Sequence, residues 1–371
     1  MAVLKTNLHG GNLRKLAEAA GLSPADILDF SANINPLGPP EWLRTLISSR
    51  VESLAHYPDP DCENLLQAAA VRYGVKAEEI IAGNGSTEII HLLPRVVTAR
   101  RAVVAVPAYV DYALAAALAG LPVERIPLAE ERDFRPDPEA IDRFLRDGDL
   151  FFAGQPNNPT GLLWDADELR RLARRHPAAT FVIDEAFADF VPGMDSLTRR
   201  RPLNVVVLLS LTKFFAVPGI RLGCAVAAES LIARIKAAMP PWTVNTLAQI
   251  IGAAALADKA YAEKTRAYIE QVRETLAREL ASLGGLYVYP GEANFLLVKV
   301  TRRDIDAPEL AGKLLRRGIA IRVCDNFDGL DGRFFRVAVR TGEENRRLCQ
   351  AMGEILKQIT TLPRNDGESP S

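Results

Sequence analysis

The chain is 371 residues long, 48% hydrophobic and 25% charged, with a net charge of −1. Such a composition belongs to a globular protein large enough for two domains, not to a disordered or fibrous chain. The near-zero charge excludes a general electrostatic affinity for nucleic acid or an anionic membrane, so a charged ligand must be read by a few placed residues.

Residues 1–9 carry no apolar signal core, and no run is long enough to span a bilayer. The four cysteines, Cys62, Cys224, Cys324 and Cys349, are scattered without metal spacing, which suits reduced thiols in a cytoplasmic protein.

His9-Gly10-Gly11-Asn12 opens the chain, and Asn12 to Ala20 has the apolar spacing of a short helix stopped by Gly21. Prolines then hold Ser31-Ala32-Asn33-Ile34-Asn35-Pro36-Leu37-Gly38 as an extended arm. Asn33 and Asn35 can offer amides to an anion there, although turn chemistry is the simpler account. Tyr57 stands before Pro58 and is held extended.

The stretch from Ile80 to Ile90, which includes Gly83-Asn84-Gly85-Ser86-Thr87, is a short apolar run, a Gly-rich turn and then a helix, whose free N–H groups make an anion site. Arg101 to Pro107 is a buried strand followed by Tyr109. Leu150 to Gly154 leads to Gln155-Pro156-Asn157-Asn158-Pro159-Thr160-Gly161. The strand at Thr180 ends on Asp184, which serves equally as a helix cap when read from the residues alone. Val205 to Leu209 is a β-branched, buried strand that ends on Ser210-Leu211-Thr212-Lys213, with Arg221 eight residues on.

Strands alternate with helical patterns such as Asp165 to Arg175, the mark of a mainly parallel α/β sheet covered on both faces. From about Pro240 the pattern changes. Helices are expected at Leu247–Leu256, Lys259–Leu283, Pro308–Arg317 and Glu343–Gln358. Strands are expected at Leu286–Tyr289, Asn294–Val300, Ile319–Val323 and Phe334–Val339. The expected division is a large domain over 46–240, a smaller α+β domain from 1–45 with 241–361, and a disordered tail over 362–371.

A lysine just past a strand's C-terminal end lies where open α/β sheets bind ligands. Its amine condenses with carbonyls once burial lowers its pKa. Ser210, Thr212 and Arg221 add phosphate contacts. A carbonyl and a phosphate on one small molecule describe pyridoxal phosphate. Arg322 and Arg336 can clamp carboxylate or phosphate, although a lone arginine is more often a salt-bridge partner. Arg340 lies four residues past Arg336 on the same strand face, and pairing with an acid is its more ordinary role.

The Ser210–Gly223 stretch, Asn157-Asn158-Pro159-Thr160-Gly161, the arm and Arg333-Phe334-Phe335-Arg336-Val337-Ala338-Val339-Arg340 resemble the fold-type-I pyridoxal-phosphate enzymes, the aminotransferase superfamily. Within it they resemble the threonine-phosphate decarboxylases, with histidinol-phosphate aminotransferases as near relatives. The resemblance covers most of the chain and implies a type-I architecture and a homodimer with shared sites.

On that resemblance Lys213 holds the cofactor, Asp184 faces the pyridine nitrogen, Asn158 bonds the phenolic oxygen and Tyr109 stacks on the ring. Gly85, Ser86, Thr87, Ser210, Thr212 and Arg221 surround the phosphate, and Tyr57 reaches across to the neighbouring subunit's phosphate. His9, Gly10, Asn33, Asn158, Arg322 and Arg336 contact a phosphorylated amino acid, with Arg336 on its α-carboxylate. The implied reaction is decarboxylation of O-phospho-L-threonine in cobalamin biosynthesis, and the alternative is transamination of histidinol phosphate. Two features favour the first: the His9 opening, and Phe187 in place of a tyrosine that often donates to the phenolic oxygen in aminotransferases. A binding module without turnover is opposed by the intact Lys213, Asp184 and Arg336.

Overall fold

A computed structural model describes residues 10–361 of the chain. His9, an expected substrate contact, and the expected tail over 362–371 lie outside these residues.

Strands are numbered in chain order. β1 (Leu28–Asp29) belongs to the N-terminal arm. β2 (Ile80–Asn84), β3 (Arg101–Val106), β4 (Val123–Pro127), β5 (Asp149–Gly154), β6 (Thr180–Asp184), β7 (Val205–Ser210) and β8 (Leu222–Val226) form one seven-stranded sheet, in the order β2-β8-β7-β6-β5-β3-β4. β9 (Leu286–Val288), β10 (Phe295–Val300), β12 (Arg322–Val323) and β13 (Phe334–Ala338) form a four-stranded antiparallel sheet, and β11 (Ile319–Ala320) pairs with β1 in parallel.

The large sheet is buried on both faces, which is why its strands read as unbroken apolar runs. Alternate side chains point to opposite faces. Val205, Val207 and Leu209 enter one core cluster, and Val206 and Leu208 enter the other. Each such side chain removed from water contributes about 1.5–3 kcal/mol. The cluster that takes Val205 and Val207 continues into Phe295, Leu297, Phe335 and Leu348, so one apolar core joins the two sheets.

Only β8 runs against its neighbours in the large sheet. The C-terminal ends of β2, β3, β5, β6 and β7 therefore share an edge with the start of β8. That edge gathers the segments after Asn84, Val106, Gly154, Asp184 and Ser210, together with Arg221.

The expected strand Ile319–Val323 is two strands. Ile319 and Ala320 pair with the arm at Leu28 and Asp29, whereas Arg322 and Val323 pair with Arg336 and Phe335. Local pattern cannot show that one apolar run crosses between two sheets. The helices Leu13–Ala20, Ala166–Arg175, Thr246–Ala257, Lys259–Ala281 and Ala307–Leu315 lie within a few residues of expectation. Asn12 and Asp165 cap theirs by accepting backbone N–H bonds, and Gly21 ends the first in the left-handed conformation. Among the described residues no helix is long and apolar enough to cross a membrane.

Candidate active site

One end of the site is shaped by what cannot fit. Gly85 has φ +80°, and a Cβ on it would meet Arg221 Nη2 at 2.6 Å. A Cβ on Gly223 would meet Ser86 N at 2.2 Å. The missing side chains bring the start of the helix Ser86–Val96, the entry to β8 and the Arg221 guanidinium together. Arg221 itself takes φ +57°, a conformation that costs a non-glycine residue about 1–3 kcal/mol and is kept only where the surroundings impose it. Ser210 Oγ and Thr212 Oγ1 lie 3.0 Å apart behind this cup.

Lys213 is partly buried on the four-residue helix Leu211–Phe214, and its Nζ donates to Ser210 Oγ at 3.1 Å. It lies 5.4 Å from the centre of the Phe187 ring. Burial pushes the ammonium below the ordinary lysine value; Asp184 opposes this, and Arg221 and Arg336 add to it. A neutral amine is therefore easier to reach than in water. Asp184 ends β6 and is 7% exposed. Burial raises its pKa, while the Lys213 charge and the bonds from Tyr112 and Ala186 favour the carboxylate.

Tyr112 is the residue that sequence reasoning missed. Its hydroxyl donates to Asp184 Oδ2 at 2.8 Å, and its ring stacks on Phe152 with centroids 5.3 Å apart. A hydrogen bond to a charged group contributes about 1.5–3 kcal/mol. The signal was its i, i+3 spacing from Tyr109, one turn along the same helix. Tyr109 meets its ring edge-on at 5.6 Å.

In the Asn157-Asn158 pair the two side chains divide the work. Asn157 is buried and holds the turn, donating to Pro107 O at 2.9 Å and Thr160 Oγ1 at 3.0 Å. Asn158 faces the cavity and accepts from Arg336. Ser86, Thr87, Tyr109, Asn158, Asp184 and Lys213 line that one cavity, with Tyr112 and Phe187 in its wall.

Arg336 and Arg322 are register partners on β13 and β12. Arg336 is 6% exposed, donates to Ser31 O at 2.9 Å, and is pushed down to about 10 by burial. Arg322 is also buried and is held by Asn326 Oδ1 at 2.6 Å and by Val323 O. Both side-chain polar atoms of Asn33, at 5% exposure, lack a partner in the structure. Leaving a buried amide unsatisfied is costly, which fits a group that meets a ligand. Gly10 and Arg322 both line a neighbouring groove of about 650 Å³. A Cβ on Gly10 would meet Ser31 O at 2.2 Å, so the arm folds tightly on itself there.

One expectation comes out differently. Asn35 does not offer its amide to an anion: it donates to Phe214 O, Tyr261 Oη and Thr265 Oγ1 inside the protein. Its neighbour Pro36 fixes the backbone but not the direction of the amide. Tyr57 is not in its own chain's cavity. It is 80% exposed and stacks on Trp242 with centroids 4.7 Å apart. Arg340 takes its ordinary role, donating to Glu344 at 2.8 Å and Asp29 O at 3.2 Å. All four cysteines are free and buried.

The profile of the family described as aminotransferase class I and II matches residues 25–352. The chain belongs to this family. A threonine-phosphate decarboxylase from Salmonella typhimurium is 38% identical over 96% of this chain and 98% of its own length. An adenosylcobalamin biosynthesis bifunctional protein, CobDQ, from Leptospira interrogans is also 38% identical, over 98% of this chain; the chain spans 42% of that relative's length. The crystal structure of a histidinol-phosphate aminotransferase from Clostridium acetobutylicum superposes with a TM-score of 0.83 at 31% identity, covering 90% of this chain and all of that one.

This class I and II aminotransferase relative is a pyridoxal-phosphate-dependent enzyme. Its residues fit the cofactor. The cup that a Cβ on Gly85 or Gly223 would fill suits a phosphate, the buried Asp184 suits a protonated ring nitrogen, and a lysine of lowered pKa stands between them.

Proposed function

We propose that the protein decarboxylates O-phospho-L-threonine to (R)-1-amino-2-propanol O-2-phosphate and CO₂ in cobalamin biosynthesis, as a cytoplasmic homodimer with shared sites. The observation that carries this reading is the facing pair Arg322 and Arg336. One of these guanidiniums bonds Asn158 at the cofactor cavity, and the other shares a groove with Gly10 of the arm. Two anion anchors suit an amino acid that also carries a phosphate. The 38% identity to a threonine-phosphate decarboxylase over nearly the whole chain supports the choice of substrate.

Each residue then has a task. Lys213 attaches the cofactor, Asp184 faces the ring nitrogen, Tyr109 covers a ring face and Asn158 bonds the phenolic oxygen. Gly85, Ser86, Thr87, Ser210, Thr212 and Arg221 hold the cofactor phosphate. Bound pyridoxal phosphate supplies the electron sink for the bond broken at Cα.

Arg336 fixes the α-carboxylate, while Arg322, Asn33 and the arm fix the substrate phosphate. With both ends held, little rotation would remain about the N–Cα bond, so the two anchors would decide which bond at Cα is broken. Arg336 must hold this carboxylate without stabilising the ground state more than the charge-dispersed transition state. CO₂ leaves with cleavage of that bond, and Lys213 returns a proton to Cα. Phe187 has no hydroxyl near Lys213 to compete for that proton.

Phosphothreonine alone should release CO₂ and leave an amino alcohol phosphate, with no amino acceptor required. Efficient turnover of histidinol phosphate with 2-oxoglutarate, with no CO₂ from phosphothreonine, would select the aminotransferase reading instead.

A further inference from the structure

Lys213 sits on a helix of only four residues. A single turn is not stable alone in water, and its last carbonyls have no partners within it. The arm supplies the shorter of the bonds they make. Asn35 N donates to Lys213 O at 3.0 Å, and Asn35 Nδ2 donates to Phe214 O at 2.8 Å. The same amide group reaches Tyr261 Oη at 2.8 Å and Thr265 Oγ1 at 3.0 Å on the helix Lys259–Ala281. Its Oδ1 accepts from Leu37 N at 3.0 Å. Asn35 is 3% exposed, so its side chain is spent wholly inside the protein.

From Asn35 the arm runs back past the cavity. Asn33 O accepts from Asn294, Ser31 O accepts from Arg336, and β1 pairs with β11. One short strap therefore touches both the proposed carboxylate anchor and the backbone of the lysine turn. The other bonds to these two carbonyls are longer: Ala216 N donates to Lys213 O at 3.3 Å, and Tyr261 Oη to Phe214 O at 3.3 Å.

We propose that Asn35 is the positioning residue for Lys213. It fixes the carbonyls at the end of the lysine turn and thereby sets where Nζ stands relative to Ser210, Asp184 and the cavity. The residue type follows from the chemistry. The position needs a donor for Phe214 O and an acceptor for Leu37 N at once. An aspartate of the same shape would set a carboxylate oxygen against a carbonyl. This role rests on Lys213 being the attachment lysine, as proposed above.

The test compares the cofactor-loaded variants Asn35→Ala, Asn35→Asp and Thr265→Val. Both Asn35 variants should move the pH midpoint of the lysine-bound cofactor's visible absorbance by about one unit. They should lower kcat by about tenfold or more, with KM for phosphothreonine changed less than about threefold. Thr265→Val removes one of the two bonds to the long helix and leaves both carbonyl contacts, so it should leave the midpoint and kcat at their wild-type values. Should Asn35→Ala fail to fold, Asn35→Asp carries the test, since it keeps the shape and the Leu37 bond. A wild-type midpoint and kcat in Asn35→Asp would overturn the proposal. So would an equal loss in Thr265→Val, which would reduce Asn35 to a packing staple. The absorbance midpoint needs no substrate, so it reads the Asn35 role whatever substrate is turned over. Reductive trapping in the wild-type protein tests the lysine assignment separately.

Discussion

The two ends of the site are built differently. The proposed cofactor end draws on segments that each follow or precede a strand of one sheet, and the registers Gly154↔Asp184 and Ser210↔Gly223 lock them together. The proposed substrate end joins Gly10 and Asn33 of the arm to Arg322 and Arg336 near the other end of the chain. The arm and Arg322 are held by two-residue pairings, β1 with β11 and β12 with β13, whereas Arg336 lies within the longer ladder of β13 with β10. Local stability follows the number of buried contacts and ladder bonds. A rigid end suits a cofactor that stays, and a lightly fastened arm suits a substrate that enters and leaves each turn.

The sharpest way to break this comparison is at Lys213. If the sheet edge is the cofactor end, borohydride reduction should leave the pyridoxyl label on Lys213 alone, as peptide mapping would read it. Lys213→Ala should lower kcat by at least about 10⁴-fold, since both attachment and proton return are lost. Label on another lysine would move the chemistry away from this edge.

A smaller effect should separate the two ends. Arg322→Ala should weaken phosphothreonine binding by about ten- to a hundredfold, the usual loss of a hydrogen bond to a charged group. Unphosphorylated threonine should lose far less, and affinity for the cofactor should not change. Equal loss for both amino acids would mean that Arg322 does not read the phosphate.

The same contrast governs what the sequence discloses. Lys213, Asp184, Asn158 and the Gly85 turn each sit beside a strand whose apolar run is visible, so the chemistry and the element announce each other. Arg322 and Arg336 lie on recognisable strands, but nothing local says that they are directly opposite. The split of Ile319–Val323 between two sheets was hidden for the same reason. Asn35 shows a further limit. Its neighbours mark an extended arm, but its amide turns toward Phe214 and Thr265, some 180 and 230 positions away in the chain. Tyr112 was hidden by its apolar surroundings, where a tyrosine ordinarily only packs.

The smallest expected effect concerns Tyr57, which belongs to neither end of its own chain's site. Val51, Leu54, Tyr57 and Trp242 are 53%, 52%, 80% and 47% exposed. Tyr57 and Trp242 stack on each other, and an exposed apolar surface of this kind suits contact with another molecule. Thr243, next to Trp242, donates to Glu88 at 2.5 Å, and Glu88 accepts from Asn84 N at 2.7 Å, beside the cup. The patch thus borders the cofactor end without entering it. If Tyr57 serves the partner subunit, a heterodimer of Lys213→Ala and Tyr57→Phe chains holds one complete site. That site takes its lysine from the Tyr57→Phe chain and its tyrosine from the Lys213→Ala chain. It should bind the cofactor as tightly as wild type, and specific activity should be about half that of the wild-type dimer when one of two sites works. The Tyr57→Phe homodimer, with both sites lacking the phenol, should bind the cofactor about tenfold more weakly, as expected for one hydrogen bond to a charged phosphate. If the heterodimer's single site shows that same weakening, Tyr57 acts within its own chain and the shared-site reading fails.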